Sequence, residues 1–240
     1  MNPATDYIMT LDELELGGVN RCKSHKLVSA GKGVNVSAAF ERLGVPNVPI
    51  VSNVRRLNVK LHCGDSVTEI NADSCADKTT VADVRLDIMR LGLKQGDWFI
   101  IGGSLPDGVP ANFYAQITNE LTAKGVKVIV DTSGEPLRQV VKKSTPWLIA
   151  PNKHEFAEIA DLSIKCNTLV SHGEKGARLT VDGKVYTCEP PKVIKGGYTV
   201  GAGDNLLAGF VAEYIKSKNY EKSLIAGVNS ATQYIENHGN

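Results

Sequence analysis

From residue 97 onward the chain alternates between two hydrophobic rhythms. The apolar runs Trp98-Phe99-Ile100-Ile101, Val126-Lys127-Val128-Ile129-Val130-Asp131 and Trp147-Leu148-Ile149 predict buried strands. Between them, Phe113, Ile117 and Leu121 share one helical face after Pro110 and stop at Gly125. Leu137, Val140 and Val141 mark a second helix. This succession predicts parallel strands with helices on the faces, an α/β fold. Earlier the rhythm shortens. Leu57, Val59 and Leu61 alternate with Asn58, Lys60 and His62, then turn through Cys63-Gly64-Asp65-Ser66 into Val67-Thr68-Glu69-Ile70, a hairpin with one polar face. Val181-Asp182-Gly183-Lys184-Val185 predicts another hairpin, turning at Asp-Gly.

In parallel sheets ligands gather beyond the carboxyl ends of strands, where the segments at Gly102, Asp131, Pro151 and Ser171 fall. Two glycine-rich helix starts add chemistry. Tyr198-Thr199-Val200-Gly201-Ala202-Gly203-Asp204 precedes the helical run Leu206, Leu207, Phe210, Val211, Tyr214 and Ile215. Such a turn aims backbone N–H groups and the positive helix end at one place, which suits an anion. A carboxylate there is a candidate base, taking a proton from an attacking hydroxyl. The simpler alternative is that Asp204 caps the helix. Gly31-Lys32-Gly33 opens a second helix that Gly44 stops; Lys32 suits a phosphate and Asn35 suits sugar hydroxyls. Neither start is a Walker A loop or a G-x-G-x-x-G fingerprint, which argues against P-loop and nicotinamide chemistry.

Composition narrows this little. With 240 residues, 42% of them hydrophobic, the chain can bury one substantial core. A net charge of +1 gives no global field for nucleic acid or anionic membrane. The short clusters Lys23-Ser24-His25-Lys26 and Arg55-Arg56 read as solvated loop charge. Five scattered cysteines (Cys22, Cys63, Cys75, Cys166 and Cys188) form no C-x-x-C pair, so reduced cytoplasmic thiols are expected. No apolar run is long enough to span a bilayer. Asn35-Val36-Ser37 fits a glycosylation sequon, read as coincidence.

Asn2-Pro3-Ala4-Thr5-Asp6 and the two helix starts, with Arg56-Leu57-Asn58-Val59-Lys60, Gly102-Gly103-Ser104-Leu105-Pro106, Pro151-Asn152-Lys153-His154-Glu155 and Ser171-His172-Gly173-Glu174-Lys175-Gly176, closely resemble the PfkB group of ribokinase-like sugar kinases. Within it the nearest likeness is to 1-phosphofructokinases and tagatose-6-phosphate kinases. The resemblance implies a three-layer α/β/α sandwich with a mostly parallel central sheet and a small β lid. It implies one domain over 1–240, with lid strands around 12–25 and 55–71. It implies ATP and Mg²⁺, a sugar phosphate as acceptor, no nucleic acid or membrane, and a homodimer through the lid. Asp204 is then the general base, and Gly201, Ala202 and Gly203 frame an anion hole with the N–H groups of Ala202, Gly203 and Asp204. Asp6, Gly31, Gly33 and Asn35 meet the sugar, with Asn58 on the same strand face as Arg56 and Lys60. Lys32, Arg56, Lys60 and Ser104 hold the phosphate already on it. Asn152, Ser171, Gly173, Gly176 and Asn229 (with Ser230) take the nucleotide, and Asn152 and Glu155 organise the metal, partly through water.

The chain also departs from the family pattern. A strand expected before Asn2, a long stretch between Ser52 and Arg56, a helix before Asn167 and a continuation past Tyr234 are absent. Omitted segments of a longer chain are the favoured account over a decayed kinase, because motif detail survives beside every gap. Ala150 stands where lysine is common, Asn205 where serine is usual, and His172 where small residues prevail. The expected activity is phosphorylation of fructose 1-phosphate, with tagatose 6-phosphate as the alternative acceptor. A non-catalytic sugar-phosphate or nucleotide binder is the alternative of another class.

Overall fold

The computed structural model describes residues 2–54, 56–64, 66–74, 76, 78–194 and 199–238. Tyr198, Arg55, Asp65 and Cys75 lie outside the described residues. The first half builds a small four-stranded sheet and, between two of its strands in sequence, one helix. β1 (Ala4–Leu11) pairs antiparallel with β2 (Ser24–Ala30), and helix α1 (Lys32–Arg42) follows. β3 (Leu57–Cys63) returns parallel to β1, and β4 (Ser66–Asn71) closes the hairpin read from the sequence. The sheet order is β2-β1-β3-β4. The lid's first strands thus fall on either side of residues 12–23, not across 12–25. Leu11-Asp12-Glu13-Leu14 ends the alternation, and the Gly17-Gly18 turn follows it.

After α2 (Lys78–Arg90) the α/β alternation runs β5 (Trp98–Gly102), α3 (Phe113–Thr122), β6 (Lys127–Asp131), α4 (Gly134–Lys143), β7 (Leu148–Ile149), α5 (Lys153–Ala157) and β8 (Asn167–Ser171). β9 (Ala177–Val181) and β10 (Lys184–Cys188) form the second hairpin, turning through Asp182 and Gly183 at positive φ. Helices α6 (Ala202–Ser217) and α7 (Tyr220–His238) complete the chain. The six strands run β10-β9-β8-β7-β6-β5, parallel from β5 to β8 and antiparallel beyond. Val128, Ile129, Val130, Leu148 and Ile149 are fully buried, as strands covered on both faces require. One side of the sheet packs on α1, α6 and α7 through Phe40, Leu207, Phe210 and Leu224; the other packs on α2, α3 and α4 through Ile88, Ile117 and Leu137. α6 and α7 cross closely, because a Cβ on Gly227 would stand 2.6 Å from the Leu206 carbonyl.

β5 is the last strand on its side. Along it runs a cavity of about 640 Å³, bounded by Val36 and Phe40 of α1, Ile88 of α2 and the irregular segment 45–51. In that segment Val48 is 71% and Val51 49% exposed. Apolar surface is therefore open where the sequence lacks the stretch before Arg56. Of the site residues expected from sequence, only Gly31, Lys32 and Gly33 line this cavity, so its size does not mark the chemistry.

Candidate active site

Helix α6 starts from Gly201, whose φ of 89° suits a residue without a Cβ, and no side chain caps it. Asp204 lies one turn in and does not occupy the N-cap position. It is buried, and its Oδ2 accepts a 2.7 Å hydrogen bond from Asn35 Nδ2 on α1. The two glycine-rich segments, far apart in sequence, thus meet at one carboxylate. Burial, and then the charge of Asp131, push the Asp204 carboxyl up to about 7, while Asn35 and Lys32 pull it back. Its proton is therefore exchangeable near neutral pH. The amides of Gly203 and Asp204, in the first turn, have no intrahelical carbonyl to meet. The Ala202 amide differs from expectation: it donates to the Thr199 carbonyl at 3.0 Å, which leaves two first-turn amides facing outward.

Lys32 stands among acids. Its Nζ lies 2.6 Å from Asp131 Oδ1 and 3.7 Å from Glu155 Oε1. Burial opposes its charge, but Asp131, Glu155 and Asp204 together hold its ammonium above the ordinary lysine range. Burial pushes Asp131 up, and Lys32 offsets that only in part. Sequence reasoning placed the segment at Asp131 at the right end of its strand, yet gave that carboxylate no role. Its partner lies on α1, and no local pattern links them.

Of the residues expected to meet the sugar phosphate, Asp6, Asn58 and Lys60 lie on neighbouring strands of the small sheet. Asn58 Nδ2 donates to Asp6 Oδ1 at 2.9 Å, and Lys60 Nζ is 2.9 Å from Asp6 Oδ2 and 3.5 Å from Glu69 Oε1. Lys60 is only 3% exposed, so its charge is matched by carboxylates and does not stand open to a phosphate. Arg56 Nε and Asn58 Oδ1 are buried without a hydrogen-bond partner, a state that costs about 1–3 kcal/mol for each group unless a ligand meets it. Ser104 accepts from Asn2 Nδ2 at 2.9 Å. Gly102 and Gly31 let the segments touch: a Cβ on Gly102 would come 3.1 Å from the Gly33 amide nitrogen, and one on Gly31 would come 3.4 Å from the Pro3 Cα.

The residues expected from sequence to take the nucleotide are more dispersed. Asn152 caps α5, with its Oδ1 accepting from the amides of His154 (2.8 Å) and Glu155 (3.0 Å), while Glu155 Oε2 accepts from the Asn152 amide at 2.8 Å. This capping box explains the N-x-x-E spacing by itself. It leaves Glu155 Oε1 turned to Lys32. Asn152 bridges to Ser171, the end of β8. Gly176 is required by packing, since a Cβ there would overlap the Cys188 carbonyl. Gly173, at φ 60°, has open space where its Cβ would be. Asn229 is exposed on α7.

Among the described residues, no three His, Cys, Asp or Glu side chains gather closely enough to cage a metal ion. Asp131 and Glu155 carry the hard oxygens that magnesium prefers, but here the Lys32 ammonium lies between them. No described helix is long and apolar enough to cross a membrane.

A buried carboxylate at an uncapped helix start, a lysine among acids and a polar face of the small sheet are carried by a ribokinase-like sandwich. Residues 45–240 match the pfkB family of carbohydrate kinases, and this chain belongs to that family, whose members are phosphotransferases with an alcohol acceptor. It is similar to the 1-phosphofructokinase of Bacillus subtilis, at 28% identity over all of this chain and 92% of the relative. That alignment runs over 284 positions for the 240 residues here, so at least 44 of them are gaps in this chain. Among solved structures, phosphofructokinase-2 from Escherichia coli in complex with substrates and products matches with a TM-score of 0.87 at 20% identity, over 98% of this chain and 91% of that one. A possible 1-phosphofructokinase from Thermotoga maritima matches with a TM-score of 0.83 at 21% identity, over 98% and 90%.

Proposed function

We propose that this chain transfers the γ-phosphoryl group of ATP to a ketohexose phosphate, with fructose 1-phosphate as acceptor and fructose 1,6-bisphosphate as product. The observation that carries this reading is Asp204, buried at the open start of α6 and held by Asn35. With its pKa near 7, it takes the proton of the acceptor hydroxyl as the new P–O bond forms. The amides of Gly203 and Asp204 face the charge on the transferred group. Lys32 sits between those amides' helix and the acidic pair, where it can neutralise phosphate oxygens. Magnesium would be organised by Asn152 and Glu155, partly through water, and would supply charge neutralisation for the ATP phosphates. Asp6, positioned by Asn58 and Lys60, receives sugar hydroxyls, and Arg56 receives the sugar's phosphate through its unpartnered Nε. The likeness to the B. subtilis enzyme supports fructose 1-phosphate over tagatose 6-phosphate.

We also propose one folded unit over 1–240, working in the cytoplasm. It pairs with a second copy through the small sheet, whose strands expose Leu27 (65%) and Ile70 (57%). The deciding assay measures ADP release from Mg·ATP with fructose 1-phosphate, tagatose 6-phosphate and fructose 6-phosphate in parallel, beside Asp204→Asn. Fructose 1-phosphate is expected to give the highest kcat/KM. ATP or sugar-phosphate binding without turnover would replace this reading with the non-catalytic binder.

A further inference from the structure

We propose that Arg42 is a positioning residue for phosphoryl transfer, acting through Asn205 and Tyr234 to fix the Gly201 turn; the proposal rests on the kinase reading above. Gly201 is held on two sides. Its carbonyl accepts from the Asn205 amide at 3.0 Å and from Asn205 Nδ2 at 2.8 Å. Its α-carbon lies against Tyr234, whose hydroxyl would be 2.9 Å from any Cβ placed there. One guanidinium touches both holders. Arg42 Nη2 donates to Asn205 Oδ1 at 2.8 Å, and the Arg42 guanidinium lies 5.6 Å from the centre of the Tyr234 ring.

The donor and acceptor chemistry leaves Asn205 one orientation. Arg42 can only donate, so it requires the amide oxygen; the Gly201 carbonyl can only accept, so it requires the amide nitrogen. Asn205 is 4% exposed, so water is a poor substitute for either partner. Without the guanidinium, the side-chain amide can flip and set its oxygen against the Gly201 carbonyl. The turn's peptide planes, and with them the amides that face the phosphoryl group, would then lose their support.

A cation in the last turn of α1 would be favoured by the helix dipole alone. The dipole does not account for the bond to Asn205. Asn35 and Arg42 lie two turns apart on one face of α1, and they reach consecutive residues of α6, Asp204 and Asn205. The helix that opens with Lys32 therefore registers both the base and the turn beside it. The Lys32 turn and the Gly201 turn are thus tied through one helix.

The test compares Arg42→Met, Arg42→Lys, Asn205→Ser and the Arg42→Met/Asn205→Ser double variant. Arg42→Met is expected to lower kcat by about tenfold to a hundredfold, the scale of a lost charge-assisted hydrogen bond, with KM for ATP and sugar nearly unchanged. Arg42→Lys, which keeps a donor, restores part of the loss. The double variant should be no slower than the slower single, because both substitutions cut one connection. Wild-type kcat in Arg42→Met, or losses that multiply in the double variant, would overturn the proposal. Hydrogen exchange at the Asn205 amide, bonded to the Gly201 carbonyl, needs no turnover. It should quicken in Arg42→Met, and unchanged exchange would overturn the brace even if every kinase assay of the wild type were silent. Silence of the wild type with accelerated exchange in the variant would sink the kinase reading and leave the brace standing. Asn205→Ser carries the same exchange test should Arg42→Met fail to fold.

Discussion

Helix α5 opens with its first amides closed off by Asn152 and Glu155, whereas α1 and α6 open through glycines that no side chain caps. All three starts border one site. The closed start needs no ligand to satisfy its backbone, and its motif carries a local structural reason. The two open starts leave donors unmet, and each has a charged residue that the helix itself does not use: Lys32 in one, Asp204 in the other. The difference separates helix starts satisfied by their own side chains from those that leave donors open, which spacing alone cannot do.

The largest effect that could break this contrast is on turnover. Asp204→Asn should lower kcat by at least about 10²-fold, the range of general-base catalysis, in a coupled ADP assay. Turnover near wild type would return Asp204 to a packing role. In the wild type, kcat/KM should rise as the pH climbs toward about 7 and level off above it, because the base works deprotonated.

The same carboxyl gives a stability effect of opposite sign. Its folded pKa lies above the ordinary aspartate value, so the folded state holds the extra proton between about pH 4 and 7, and stability falls as pH rises through that window. Asp204→Asn should therefore be more stable than wild type at pH 8, by up to about 4 kcal/mol in urea titrations, and lose that lead toward pH 4. Gly201→Ala tests the open start directly. A methyl at φ 89°, within 2.9 Å of the Tyr234 hydroxyl, should cost about 1–3 kcal/mol and slow turnover.

Smaller effects sharpen the closed start. Glu155→Gln keeps a capping box, since glutamine also serves at that position, but removes the charge facing Lys32. Stability should stay within about 0.5 kcal/mol of wild type while the Mg²⁺ concentration for half-maximal activity rises. Asn152→Ala should cost about 1 kcal/mol through the lost cap, with little change in sugar KM.

Much of this was legible in the residue pattern, where local rules suffice. β5, β6 and β7, the helices between them and both hairpins follow from periodicity, glycine and proline. β1 was harder to read, because Asp6 interrupts its apolar face for the sake of the site. Helix α2 is only weakly amphipathic and carries charged residues between its buried Val84 and Ile88. Within the site, Asp204 and Lys32 stand out by their glycine neighbours. Asp131, Arg42 and Tyr234 act through partners on distant segments, so nothing beside them in sequence announces them. Gly176 has a packing reason that its motif does not reveal: its missing side chain makes room for the Cys188 carbonyl at the end of β10.

The position of β5 at the margin of the six-stranded sheet bears on how such a protein tolerates shortening. The strand ends of the six-stranded sheet that border the site run from β5 inward, and α1 and α6 are clamped to each other directly. Material can thus be pruned from the far flank while the workbench keeps its legs. The cost of such pruning would fall on solubility at that border, where Val48 and Val51 meet water.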